Sequence, residues 1–166
     1  MKKVVLAVGL IGVLAAGTAA AAGSSTTTFQ VTADVIQNCT ISATTLSFAT
    51  YDPLAAAAKT GTGQLTVTCT KSVTTPKVGL DNGGHNANAT APATRAMANG
   101  TNYLSYDLFT TSGYTTIWND TTNVVAVSGT LGVKSPQTLT IYGQIPAGQD
   151  VVNGSYTDTI TATVNF

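Results

Sequence analysis

The chain has 166 residues, with seven Lys/Arg against seven Asp/Glu, a formal net charge of +0 and only 8% charged residues. That balance lacks the basic footprint of a nucleic-acid or anionic-membrane binder, so no nucleic-acid partner is expected. Thr-rich composition with scattered Val, Ile, Tyr and Phe favours strands, because β-branched and aromatic side chains pack well on a pleated surface, and so sparse a charge suits a protein that packs against copies of itself.

Residues 1–22 read as a secretory signal peptide: Lys2 and Lys3, then an apolar run over 4–16, then Ala20-Ala21-Ala22 before Gly23. An apolar run of about 13 residues is too short for a membrane span, which needs ~20. Its removal leaves about 144 residues, one domain's worth. That remainder carries Lys59, Lys71, Lys77, Arg95 and Lys134 against seven Asp and no Glu, a formal charge of −2.

The first element is FQVTADVIQNC, residues 29–39. Phe29, Val31, Ala33 and Val35 fall on one side of an extended strand and Gln30, Thr32 and Asp34 on the other, the period-two pattern of a half-buried strand. Such a strand needs a groove, in its own molecule or in another. Cys39 and Cys69, the two cysteines of an exported chain, are most simply a disulfide. It would close a loop of about 31 residues, worth ~3.7 kcal/mol in the chain-entropy model.

TISATTLSF follows, anchored by Ile41, Leu46 and Phe48, and Tyr51-Asp52-Pro53 breaks it. The Ala-rich residues 54–59 read as a loop with room for one helical turn, stopped by Thr60-Gly61-Thr62-Gly63. QLTVTCT is a strand with Leu65, Val67 and Cys69 inward. PKVGLD follows Pro76 with Val78 and Leu80 on one face, and the Asn/Gly/Ala-rich residues 82–102 read as a long surface loop. NYLSYDLFT places Leu104, Tyr106 and Leu108 on one face and Tyr103 and Phe109 on the other, so both faces are expected to be covered. YTTIW reads as a short strand, 123–130 as a small apolar run, and QTLTIYGQI as a strand with Leu139, Ile141 and Ile145 in phase.

The chain finishes on SYTDTITATVNF. Tyr156, Ile160, Ala162, Val164 and Phe166 lie on one face, and the alternation predicts the longest and most regular strand here. About seven strand segments after Cys39, spaced by Gly/Asn/Pro turns, predict an all-β fold, an antiparallel Greek-key sandwich. An immunoglobulin-like order then ends one strand early, beside a vacant position.

Catalytic readings are poorly supported. A Ser/His/Asp site must use His85 beside Asp81, with no nucleophile signature. A carboxylate pair must come from Asp residues that sit mostly in turns. Asp81-Asn82-Gly83-Gly84 suggests calcium, but without EF-hand spacing a β-turn explains it better. The sequons at Asn38, Asn88, Asn99, Asn119 and Asn153 are expected by chance in a chain this rich in Asn and Thr. Trp118 is either a sugar-stacking platform or, preferably, a packed sandwich aromatic. No catalytic residue, metal or cofactor is expected.

The segments FQVTADVIQNCTISATTLSFATYDP, LTVTCTK, VGLDNGG with RAMANG, YLSYDLFT with TTIWND, and YGQIPAGQDVVNGSYTDTITATVNF resemble the spore coat protein U domain family. That family includes subunits of archaic (Csu-type) chaperone-usher pili. Cys39, Cys69 and the terminal VNF fit its pattern; Ala49, where the family tends to have Gly, departs from it.

The resemblance implies an incomplete immunoglobulin-like Greek-key β-sandwich lacking the last strand, completed by donor-strand complementation. By position, residues 27–36 within an N-terminal segment 23–37 would be the donor, with Phe29, Val31, Ala33 and Val35 entering a partner's groove. Residues 38–166 would form the sandwich, and Tyr156, Ile160, Ala162, Val164 and Phe166 would edge the acceptor groove. Implied partners are identical or related pilin subunits in a linear polymer, a periplasmic chaperone and an outer-membrane usher. The implied place is the cell surface, reached through the periplasm, in an adhesive pilus that supports surface attachment and biofilm formation. A self-complemented surface- or carbohydrate-binding sandwich and a spore or cyst coat protein are the alternatives.

Overall fold

A computed structural model describes residues 22–166. The segment read as a signal peptide lies, but for Ala22, outside the described residues. Residues Val35–Phe166 form the larger compact unit of the chain. Among the described residues no helix is long and apolar enough to cross a membrane.

Eight strands and a single 3-10 turn at Asn86–Asn88 make up the larger unit: β1 (Cys39–Ala43), β2 (Lys59–Cys69), β3 (Lys77–Leu80), β4 (Arg95–Asn99), β5 (Asn102–Phe109), β6 (Val125–Ala126), β7 (Gln137–Ile145) and β8 (Ala162–Asn165). They form a five-stranded sheet, β1-β2-β7-β5-β4, and a three-stranded sheet, β6-β3-β8. All pairings are antiparallel. The fold is the all-β, immunoglobulin-like sandwich that the strand spacing predicts. Its core brings Leu65, Val67, Ile141, Ile145, Leu104, Tyr106 and Leu108 from the larger sheet against Val78, Leu80 and Trp118. β5 is buried at every position from Leu104 to Phe109. Residues 90–94 cover its outer side, where Thr90 N–H donates to Ser105 Oγ at 2.8 Å and Thr94 N–H to Asp107 Oδ1 at 3.0 Å.

The first and second strands are stapled at one end. Cys39 pairs with Cys69 in the β1–β2 register, with Cα atoms 4.0 Å apart and the sulfurs bonded. Thr44 N–H donates to Gln64 O at 2.9 Å. By the alternation of an antiparallel ladder, Cys39–Cys69 is therefore a non-hydrogen-bonded pair, the kind whose side chains lie closest.

Four expectations need correction. β2 begins at Lys59, so Thr60-Gly61-Thr62-Gly63 lies inside the longest strand instead of ending a loop. Its glycines admit a crossing chain: a Cβ on Gly61 would meet Ser47 O at 2.7 Å, and one on Gly143 of β7 would meet Phe48 Cζ at 2.7 Å. Residues 95–99, placed in a surface loop, are β4, joined to β5 by a hairpin at Gly100 (φ +61°). YTTIW supplies only an isolated bridge, Phe109 to Ile117. The C-terminal segment forms a ladder only over Ala162–Asn165, plus a bridge from Thr157 to Ala98.

Ala49 occupies the left-handed region at φ +52°, where only Gly is free of Cβ strain. Ala49 therefore holds its turn at a cost. Ala49→Gly is therefore expected to stabilise the unit by about 0.5–1 kcal/mol and to raise its melting temperature by about 1–4 °C. Gly143→Ala, by overpacking Phe48, should lower stability by about 1–3 kcal/mol. Thermal and urea melts of the two variants check the opposite signs.

Candidate functional site

Where the larger sheet ends at β1 and the smaller ends at β8, the sandwich stays open. The chain beyond β1, residues 44–48, crosses above the glycines of β2 and β7 and forms one wall; residues 156–162 form the other. Between them lies a cavity of about 400 Å³, floored by Leu65, Leu80, Tyr106, Leu108 and Ile141 and walled by Leu46, Phe48, Met97, Tyr156, Ile160 and Ala162. A second cavity of about 660 Å³ continues it between residues 45–53 and 151–157. The two share Leu46, Phe48, Met97 and Tyr156, so they form one groove, apolar along its floor and more polar toward the 51–53 and 151–154 loops.

Both rims present main chain without a ladder partner. β1 and β8 each end their sheets. Because Thr44 bonds toward β2, the N–H and C=O groups of Ile41 and Ala43 face outward. On the opposite rim Thr157 exchanges bonds with Ala98 at 2.9 and 3.0 Å, and Thr161 O accepts from Asp81 N–H at 3.0 Å. The same alternation turns the main-chain groups of Asp158, Ile160 and Ala162 toward the groove. Side chains alternate in step: Tyr156, Asp158, Ile160, Ala162 and Val164 are half-buried, and Thr157, Thr159, Thr161 and Thr163 exposed. The half-burial has a plain cause. Equivalent inward residues of β2, Leu65 and Val67, have a second sheet above them and are 1% and 0% exposed.

Side chains hold this rim where no ladder does. Asp81 Oδ1 accepts from Gly83 N–H at 3.1 Å and Thr161 N–H at 3.0 Å. Asp158 accepts from Gly84 N–H at 3.0 Å and from the Tyr106 hydroxyl at 2.8 Å. Behind them lies Arg95, fully buried. Its Nε donates to Asp81 O at 3.0 Å, and its Nη2 to Asp81 O at 2.7 Å and Trp118 O at 2.6 Å. Nη1 is buried without a hydrogen-bond partner among the described residues.

Burial lowers the Arg95 pKa, against the pull of Tyr106 and the surrounding Asp81, Asp107 and Asp158. Burial would raise the Asp81 carboxyl, but bonds from Thr161 and Gly83 and the Arg95 charge outweigh it and hold the group below the usual carboxylate range. Burial pushes Asp107 up, only partly offset by Thr94. Burial, followed by the bond to Asp158, pushes the Tyr106 phenol up as well.

Of the residues expected to edge the groove, Tyr156, Ile160 and Ala162 line it. Val164 packs on the core opposite Val78, outside both cavities, and Phe166 is 56% exposed beyond β8. Residues 22–38 carry no ladder; Phe29, Val31 and Val35 are 83%, 84% and 90% exposed, and Ala33 is exposed too. Trp118 is 0% exposed, with its indole N–H on Val78 O at 2.9 Å, so it offers no sugar platform. His85 is half-buried with its ring 6.0 Å from that of Tyr103. Asp81 works as a turn and rim acceptor. Among the described residues no cluster of three or more His, Cys, Asp or Glu could hold a metal.

Sequence reasoning missed Arg95, Asp158 and the Leu46–Phe48 wall. The Asn99-Gly100 dipeptide, a hairpin signal, pointed to β4; no local pattern pointed to the burial of its arginine.

Residues 25–163 match the family model of the Spore Coat Protein U domain. Protein U of Myxococcus xanthus is 35% identical over 183 aligned positions, covering 100% of this chain and 98% of its own. Among solved structures, the chain matches the crystal structure of the CsuC-CsuE chaperone-tip adhesion subunit pre-assembly complex from archaic chaperone-usher Csu pili of Acinetobacter baumannii. The TM-score is 0.52 at 21% identity, and the match covers 80% of this chain. This chain spans only 40% of that structure's chain, and the likeness bears on the fold.

Arg95→Met should destabilise the unit by about 3–5 kcal/mol, because it leaves the Asp81 and Trp118 carbonyls unpaired in the interior. Arg95→Lys should not rescue it, since an ammonium lacks the planar fork; chemical denaturation measures both. Asp81 has a lowered folded pKa, so its contribution is complete above its ordinary value of 3.8 and lost as pH falls through the folded value. Asp81→Asn should therefore flatten the decline of melting temperature below about pH 4.

Proposed function

This chain belongs to the Spore Coat Protein U domain family, and from that premise we propose that it is a structural pilin subunit, assembled by donor-strand exchange into an adhesive surface fibre. The observation that carries this reading is the apolar groove with unsatisfied main chain along both rims, in a chain that also holds an exposed strand-patterned segment. Main-chain pairing at a sheet edge gives affinity, and alternate side chains in the groove give specificity. A strand of seven residues, 29–35, spans about 23 Å. Burying Phe29, Val31 and Val35 is worth about 5–8 kcal/mol gross, with Ala33 adding little.

The donor is residues 27–36 of a neighbouring copy, and the acceptor rim is Tyr156, Asp158, Ile160 and Ala162 together with Ile41 and Ala43. An unfilled groove of this kind is an aggregation hazard, which gives a periplasmic chaperone its role before an outer-membrane usher secretes the subunit to the cell surface. There the fibre serves attachment and biofilm formation, a structural task without catalysis. The family description favours a second reading, a coat component; filaments seen by electron microscopy on cells would separate a pilus from a coat layer.

Deletion of residues 23–36 is expected to leave a folded, chaperone-bindable subunit that gives no SDS-resistant ladder, while the full chain gives one. Ladders or fibres from the deleted variant would overturn the reading.

A further inference from the structure

The ladder registers give the sandwich two ends. At one, the base, Cys39 meets Cys69, Val67 meets Gln137 and Lys77 meets Asn165. At the other, the mouth, Lys59 meets Ile145 and the groove opens between the 51–53 and 151–154 loops. Charge is divided between these ends. Lys71 lies in the turn after β2, Lys77 starts β3, and Lys134 lies in the connection from β6 to β7, which Val127 N–H ties to Pro76 O at 2.8 Å. All three are exposed and at the base. At the mouth Asp52 and Asp150 are exposed and Lys59 is half-buried. Arg95, Asp81, Asp107 and Asp158 are engaged inside, and Asp120 sits on the flank against Gly79. Among the side chains of residues 38–166, the base therefore carries three positive charges, and the mouth two negative charges against one positive.

The chain also joins the sandwich at the base. Gln37 Nε2 donates to Ser72 O at 2.8 Å, Asn38 N–H to Thr70 Oγ1 at 3.1 Å, and the next residue is the stapled Cys39. The groove is closed toward the base, where β1 and β8 approach each other, and opens at the mouth into the larger of its two cavities, about 660 Å³ against about 400 Å³. A strand lying in one copy's groove thus leaves through that copy's mouth. After Val35 only Ile36 separates it from the anchored Gln37 of its own sandwich, so the base of the donor copy must sit against the mouth of the acceptor copy. Exposed Leu54 and Val152 at the mouth and Ile36 at the base, 93%, 52% and 76% exposed, add apolar surface to that contact.

Resting on the strand-exchange reading above, we infer that a second copy of this chain docks base to mouth, with Lys71, Lys77 and Lys134 facing Asp52 and Asp150. The lysine end selects the acidic mouth of the next copy and orients it before the strand seats. A heterologous contact of this kind does not close on itself and propagates as a filament. Charge complementarity at such a rim acts mainly on encounter rate and on the choice between right and wrong orientations, and salt screens it over about 8–10 Å.

The test follows SDS-resistant ladder formation by the full chain at 20 and 500 mM NaCl, as order-of-magnitude settings either side of physiological screening. Wild-type assembly is expected to slow about tenfold at the higher salt. The triple change Lys71→Glu, Lys77→Glu, Lys134→Glu should slow assembly about tenfold at low salt. Adding Asp52→Lys and Asp150→Lys to that chain should restore the rate. Unchanged melting temperature of each variant, all altered at exposed positions, excludes a folding defect. Ladder formation at equal rates in wild type and triple variant, indifferent to salt, overturns this inference and leaves strand exchange standing. No ladder from the wild type at any salt concentration overturns strand exchange and this inference with it.

Discussion

A guanidinium shut away from water, that of Arg95, holds together the parts of the chain that strand pairing leaves apart. It sits on β4, at the far edge of the larger sheet, and donates to carbonyls of Asp81 and Trp118 beside the smaller one. Charged donors make bonds roughly twice as strong as neutral ones, and here they fix the end of β3. Asp81 Oδ1 then accepts from Thr161 N–H, and three residues on, Gly84 N–H donates to Asp158, which the Tyr106 hydroxyl holds from the core. The groove rim thus rests on a chain of polar contacts that starts from one buried cation.

This dependence explains how a sandwich can stay open without collapsing. The C-terminal segment touches β4 through Thr157 and β3 through Ala162–Asn165, and crosses from one to the other without a ladder over 158–161. Ile160 and Ala162 pack on the core cluster only in part, Ala162 as the ladder partner of Leu80. The pins at Asp81 and Asp158 hold the segment between the two ladders at strand geometry. Gly61, Gly63 and Gly143 serve the opposite wall by letting Leu46 and Phe48 lie directly on backbone.

Much of this was legible in the sequence where a residue's neighbours along the chain decide its place. The alternation of Leu65, Val67 and Cys69, and of Tyr156 through Val164, follows from the pleat alone, and burial reproduces it. Glycine in 60–63 misleads because its reason is tertiary: the same dipeptides that break a loop also permit a close crossing. Arg95 misleads more, since a charged residue among Ala and Asn reads as surface until Asp81 and Trp118 are seen to wait for it. The ladder of the last strand is shorter than its pattern because pattern reports which side faces the core, and pairing requires an occupied edge. The apolar row of the groove was readable for the same reason, whereas its second wall and Asp158 were not.

The staple between Cys39 and Cys69 takes on a mechanical meaning from its place. Tension applied to the chain ahead of Gln37 meets a covalent bond two residues later, at the root of β1, and passes straight into β2. β1 cannot be peeled open one hydrogen bond at a time from that end. The force is delivered instead along β2, whose ladder with β7 runs from Lys59 to Val67 and must be sheared as a whole. Load entering ahead of Gln37 is thereby set against the shear of a whole ladder and not against the sequential opening of β1.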